Sequence, residues 1–332
     1  MKPDLISIME KIAKKKPVKV VICEGWDERC IQAASMILKK KLAKIILLGN
    51  PKTIKDKAEK LKADIKDAEI LDFKKSGLKK ELAEKLFEIR KHKGMTLEQA
   101  NKLIEDENYF GCMYVYANHA DAVAGSAICP TADLMRPALQ ILRKKDALVS
   151  EVSAMNDAKN QRILFGSDFS MNIDPDAEQL AQIALNAAEC VRDFGIKPKV
   201  AILSFSTKGS GGDMPILKKL RDAVEIVRKK DQKLVIDGEL QVDAAVNKGA
   251  ARRKCPDSPL KGEANILIFP DLTAANIFCH GVMQFSDMEL LFTISKGLQK
   301  PVAIFGRNTD VNAKRNMIVS CAMQVNAREM GH

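Results

Sequence analysis

The segment ILSFSTKGSGGDMP, Ile202 to Pro215, runs an apolar stretch into Ser, Thr, Lys and three glycines and stops at a proline. Residues of these types in this order suit phosphate chemistry. Val200 to Leu203 is β-branched and aliphatic, as in a buried strand, and Ile216, Leu217, Leu220, Val224 and Val227 recur afterwards at helical spacing. The polar residues therefore join a strand to a helix, with Asp213 and Pro215 as its start signals and with amides of the loop and first turn facing outward unpartnered. Such an end attracts anions. The hydroxyls of Ser204, Ser206, Thr207 and Ser210 add donors, Lys208 adds a charge, and Gly209, Gly211 and Gly212 allow a ligand close to the backbone. A phosphate or diphosphate fits this loop; an ordinary glycine-rich turn is the alternative. The order matches neither G-x-x-x-x-G-K-[ST] nor G-x-G-x-x-G, so neither a nucleoside triphosphatase loop nor a dinucleotide fingerprint is supported.

The elements that position such a loop repeat along the chain. VKVVIC, AKIILLG, AEILDF, ADAVAGSA, DALVSEVSA, RILFGSD, KVAILSFS, KLVIDGEL, ANILIFPD and PVAIFG read as strands, with amphipathic helical patterns between most of them. That alternation predicts an α/β protein with mainly parallel sheets covered on both faces. Ligands then bind beyond the carboxyl ends of the strands. Seven polar loops are expected there, after Ile22, Ala124, Phe165, Phe205, Ile236, Phe269 and Phe305.

A chain of 332 residues, 46% hydrophobic, buries a large core and suggests two domains. It has no apolar run of about 18 residues and no charged-then-apolar leader, so neither a membrane span nor a signal peptide is expected, and the expected compartment is the cytoplasm. Eight scattered cysteines without a C-x-x-C pair read as free thiols. Four dispersed histidines, one of them His332, imply no metal site. The net charge of +11 invites a nucleic-acid reading. Against it, the lysines alternate with acids along amphipathic helices, and 5% aromatic content is poor for base stacking. A solvated surface that favours small anionic substrates is the better reading. Asp237, Glu239 and Asp243 suit an acid–base or metal group, but Asp237 and Glu239 follow a strand directly, and structural hydrogen bonding is the better reading of this segment.

Three segments carry a family resemblance: GSAICPTADLMRPALQI, the STKGS loop, and DGELQVDAAVNKGAARRKCPDSPLKGEANILIFPDLTAANI. Together they resemble the phosphate acetyl/butyryl transferase family, from EGWDER near the start to the last helix before Gln324. The resemblance implies two three-layer α/β/α domains with an interdomain cleft, like the isocitrate/isopropylmalate dehydrogenases. The first domain would be residues 1–143 plus 299–332, the second 144–298, and the usual assembly a homodimer. It implies reversible acetyl transfer between coenzyme A and phosphate, with coenzyme A, acetyl phosphate and phosphate as partners, no permanently bound cofactor and no metal.

By the same resemblance the arginines that bind phosphate or acyl phosphate fall on Arg90, Arg136 and Arg307, with Thr131 of the TAD motif beside them. Coenzyme A falls to Ser206, Thr207, Lys208, Gly209 and Ser210. Arginine suits phosphate because its planar fork donates in pairs and keeps its charge. Three positions depart from the family pattern: its serine before the last arginine is Gly306, its aspartate six residues after that arginine is Ala313, and its histidine two residues before TAD is Cys129. Asp310 as base and Thr309 as hydroxyl donor stand nearby with Arg307 as the catalytic set, Asp310 having a helix cap as its alternative role. Two other readings stay open: a member that binds acyl-CoA as a sensor or assembly module without turnover, and a related short-chain phosphate acyltransferase.

Overall fold

The computed structural model describes residues 4–329, so the outermost residues of the expected domains, His332 among them, lie outside the described residues. Its strands are β1 Lys19–Ile22, β2 Lys44–Leu48, β3 Glu69–Leu71, β4 Ala122–Gly125, β5 Ser150–Asp157, β6 Arg162–Ser167, β7 Lys199–Leu203, β8 Val235–Leu240, β9 Ile266–Ile268, β10 Met288–Lys296 and β11 Val302–Ile304. All ten segments read as strands form one. The eleventh, β10, escapes the sequence pattern because apolar residues run into it from the helix Leu272–Phe285 with only Ser286 and Asp287 between.

Contacts group the chain into two compact units. In the unit built from Leu5–Ala147 and the chain from Leu298 on, five strands lie in the order β11-β4-β1-β2-β3, all parallel. Val20, Val21 and Ile22 of β1 and all four residues of β4 are buried, as expected of strands covered on both faces. The helix Val311–Glu329 packs on β1, β4 and β11 and also against the helices Leu5–Ala13 and Glu28–Lys39. It is accordingly buried on nearly every side, down to Gln324 and Asn326.

The unit Leu148–Gly297 holds a six-stranded sheet in the order β10-β5-β6-β9-β7-β8. Strands β6, β9, β7 and β8 are parallel, while β5 pairs antiparallel with both β6 and β10. Strand β10 ends in a buried ion pair: Lys296 Nζ lies 2.8 Å from both Asp193 Oδ2 and Glu189 Oε1 of the helix Ala177–Asp193. Lys296 and Asp193 side chains are each 2% exposed. Removing one charge of such a pair strands the other without solvent. Lys296→Ala is therefore expected to cost about 3–5 kcal/mol, read as a lowered melting temperature in calorimetry.

Candidate active site

The loops after β1, β4 and β11 leave neighbouring strands at the carboxyl edge of the five-stranded sheet and are tied together by three residues of EGWDER. Glu24, 1% exposed, accepts the amide of Ala127 and those of Ile128 and Cys129 at 3.0 Å each. Asp27 caps the helix Glu28–Lys39 through the amides of Arg29 and Cys30 and accepts from Arg29 Nε and Nη2, each at 3.2 Å. Arg29 directs its other donors to carbonyls: Ala127 at 2.8 Å, Thr309 at 3.4 Å, and Arg307. Nothing in the sequence singles out these three beyond a polar segment following an apolar strand.

The loop after β11 is a closed turn. Gly306 N–H donates to Thr309 Oγ1 and Thr309 N–H to the Gly306 carbonyl, both at 2.9 Å. Asp310 Oδ1 accepts the Ala313 amide at 2.9 Å and so starts the helix Val311–Glu329, which is its cap role. The turn leaves Arg307 exposed, with no hydrogen bond or ion pair to its guanidinium among the described residues.

Arg136 stands exposed on the helix Thr131–Ile141, whose first residue, Thr131, is also exposed. Arg90 ends the helix Lys79–Arg90, and its Nε is buried without a partner. The structure brings Arg90 and Arg136 to one place, around Tyr109. Burial raises the pKa of that phenol, and both guanidiniums pull it back down. Arg162, Arg192 and Arg315, by contrast, each pair with a carboxylate. Cys129 lies 3.5 Å from Ser126 Oγ and 3.8 Å from Asn108 Nδ2, and burial pushes its thiol upward.

The STKGS loop departs from expectation, because its amides do not face outward. Those of Thr207, Lys208, Gly209 and Gly211 donate to Ser210 Oγ (3.0 Å), the Glu239 carbonyl (3.1 Å), Glu239 Oε1 (2.7 Å) and Ser206 Oγ (2.9 Å). The reason is a second correction: Asp237 and Glu239 lie inside β8 rather than in a loop after it, both 0% exposed. A buried charge needs donors, and the loop supplies them. Ser206 Oγ donates to Glu239 at 2.9 Å, and Lys208 pairs with Asp237. Burial alone would raise the Glu239 carboxyl; the Gly209 amide, the Ser206 hydroxyl and Arg221 hold it below its ordinary value. Asp213 does not cap the following helix: Met214 is the N-cap, Pro215 follows at the first turn, and Asp213 faces Arg221 at 3.2 Å. Ser206 and Thr207 are thus buried, while Lys208, Gly209 and Ser210 are exposed, with Gly209 at a φ of +85° that glycine adopts without strain.

Two further acids went unnoticed in the sequence. Glu151 is the second residue of β5, beside the end of β6, its amide 3.3 Å from Asp168 Oδ1 and its carboxyl bonded by Ser170. Burial pushes it up to about 7. Glu107, which accepts the indole N–H of Trp26 at 3.2 Å, is also pushed up to about 7 by burial. Asp243 pairs instead with Lys254 at 2.7 Å, and no group of three or more His, Cys, Asp or Glu among the described residues is placed to hold a metal.

Two α/β units with polar loops at the carboxyl edges of parallel strands, one of them bearing guanidiniums without an ion pair among the described residues, define a mainly parallel α/β protein with cationic loops at the strand ends. The chain matches the family described as phosphate acetyl/butaryl transferase over residues 4–322 and belongs to it. It is 40% identical over 326 residues to the phosphate acetyltransferase of Thermoanaerobacterium thermosaccharolyticum, covering 96% of this chain and 98% of that one. The phosphate acetyltransferase of Bacillus subtilis is 37% identical over 321 residues, 97% of this chain and 99% of that one. A phosphotransacetylase structure from Streptococcus pyogenes aligns with a TM-score of 0.91 at 38% identity, over 98% of both chains. A 4-hydroxythreonine-4-phosphate dehydrogenase from Klebsiella pneumoniae, 12% identical with a TM-score of 0.51 over 94% of this chain and 100% of that one, shares the fold alone.

Replacing Glu239 with Ala removes the acceptor of the Gly209 amide and of the buried Ser206 hydroxyl, the latter costing about 1–3 kcal/mol when left unmade. Faster amide exchange across residues 206–211 is the expected result. Glu107 and Glu151 have folded-state pKa values of about 7 against an ordinary 4.5, so each contributes stability that is full below the ordinary value and lost as pH rises through about 7. Melting curves from pH 5 to 8 should therefore lose part of their decline in Glu151→Gln and more in the double variant with Glu107→Gln; unchanged slopes in both would contradict the assignment.

Proposed function

We propose that this chain is a phosphate acetyltransferase, catalysing acetyl-CoA + phosphate = CoA + acetyl phosphate. The observation that carries this reading is the set of guanidiniums at Arg90, Arg136 and Arg307, without carboxylate partners among the described residues, in a family member. Arg136, Arg307 and Arg90 hold the phosphate of acetyl phosphate in paired hydrogen bonds, with Thr131 and the open amides of its helix start beside them. Coenzyme A binds along Ser206 to Ser210. Ser206 and Thr207 shape that loop from within, and Lys208, Gly209 and Ser210 present its exposed surface to the diphosphate.

Asp310 Oδ2, which the Ala313 amide leaves unused, takes the thiol proton. The thiolate then attacks the acetyl carbon, a C–S bond forms, and the C–O bond to phosphate breaks as phosphate leaves. Thr309 accepts from Gly306 through its oxygen and keeps its own proton for the oxyanion, alongside Arg307. Asp310 and Thr309 thereby take the roles that Gly306 and Ala313 do not fill. A thiol is already a few per cent ionised near neutrality, so a modest base suffices.

The reaction calls for no permanent cofactor, metal, nucleic acid or membrane partner, and a cytoplasmic location belongs to the same reading. A homodimer is part of the same reading. The helix Leu272–Phe285 is strongly apolar yet buries only Ala275, leaving Ile277 67% and Phe285 89% exposed, and a second copy would cover such a face.

Thioester formation from acetyl phosphate and coenzyme A, followed by absorbance with propionyl and butyryl phosphate compared, tests the reading; absence of turnover with all three overturns it. Arg136→Ala and Arg307→Ala should each lower kcat/KM for acetyl phosphate about 10- to 100-fold, the loss of a charge-assisted hydrogen bond. Asp310→Asn preserves a capping side chain, so kcat should fall about 10²- to 10⁴-fold without a change in melting temperature.

A further inference from the structure

A cavity of about 450 Å³ opens at the amino ends of β1 and β2, the edge of the five-stranded sheet opposite Arg307. Its size lies in the range of about 300–1,000 Å³ typical of small-molecule pockets. The floor is apolar, formed by Ala13, Leu42 and Ile45, each 1% exposed, with Leu38 at the side. The rim is basic. Lys14, Lys19, Lys41 and Lys44 are exposed, and none makes an ion pair among the described residues.

This differs from the lysines of the surface helices, where Lys52, Lys85 and Lys218 pair with Asp56, Glu81 and Asp222 one turn away. Around the cavity Lys16 alone is matched, by Glu329, while Asp67 and Glu69 line the side near β3. Lys19 and Lys44 are register partners on adjacent strands, so two like charges stand side by side. An anion between them relieves that repulsion, and the lysine stems extend the apolar wall toward the heads.

We propose that this cavity binds a small amphipathic anion, its single apolar chain on the Ala13, Leu42 and Ile45 floor and its phosphate or carboxylate head held by Lys19, Lys41 and Lys44. The site shares no residue with the arginine set and does not rest on the transferase reading.

Calorimetric titration of the full chain with octyl phosphate and with octanoate tests it, octyl glucoside serving as the uncharged chain. One saturable site for an anionic probe is expected, with octyl glucoside at least about tenfold weaker; the tighter of the two anions identifies the head. Lys19→Glu with Lys44→Glu should weaken that binding at least about tenfold by reversing two charges, whereas Arg307→Ala leaves it intact. Both positions are exposed, and a melting curve checks that the double variant is folded. Absence of saturable binding, equal affinity for octyl glucoside, or loss in Arg307→Ala with retention in the lysine variant would overturn the proposal, the last by assigning the probe to the arginines.

Discussion

A guanidinium fixed by one carboxylate and shared among three carbonyls organises the five-stranded unit. Asp27 holds Arg29, and Arg29 reaches the carbonyls of Ala127, Thr309 and Arg307, joining loops that are far apart in sequence. Arginine alone among side chains has enough fixed donors for this. Hydrogen bonding to Asp27 raises its pKa further, so the charge is permanent. Glu24 completes the arrangement by accepting three consecutive amides of the loop after β4. With its backbone held in this way, the Arg307 guanidinium is exposed and makes no ion pair among the described residues.

The six-stranded unit solves a related problem with the opposite charge. Asp237 and Glu239 are buried in β8, and a carboxylate without solvent must find donors in the protein. The STKGS loop brings the Gly209 amide and the Ser206 hydroxyl to Glu239 and the Lys208 ammonium to Asp237. Ser206, Gly209 and Lys208 therefore serve first to satisfy buried acids, the Thr207 and Gly211 amides turn to loop hydroxyls, and the exposed part is a shaped surface rather than an open ring of amides. In both units, buried charge sets the geometry of a polar loop at the carboxyl edge of a sheet.

Much of the architecture was legible because parallel strands buried on both faces must be continuously apolar, as VKVVIC and KVAILSFS are. Strand β10 was not, since its apolar residues continue those of the preceding helix without a turn signal. Arg136 and Arg307 were legible through motifs around them. Arg29, Glu24 and Glu151 were not, because an arginine or an acid in a polar segment looks the same whether it faces solvent or another loop.

The sequence by itself determined the α/β alternation, the loops at the strand ends and the family to which the chain belongs, because hydrophobic period and local motif are properties of neighbours along the chain. Only the tertiary structure decided which charges are paired and which are open. Lys208, a free cation by its position in STKGS, is matched by Asp237, and Asp310 caps a helix, whereas Arg136 and Arg307 have no carboxylate partner among the described residues. Burial and charge pairing depend on what the fold brings within a few ångströms, and the carboxylate that meets Lys208 lies 29 residues further along the chain.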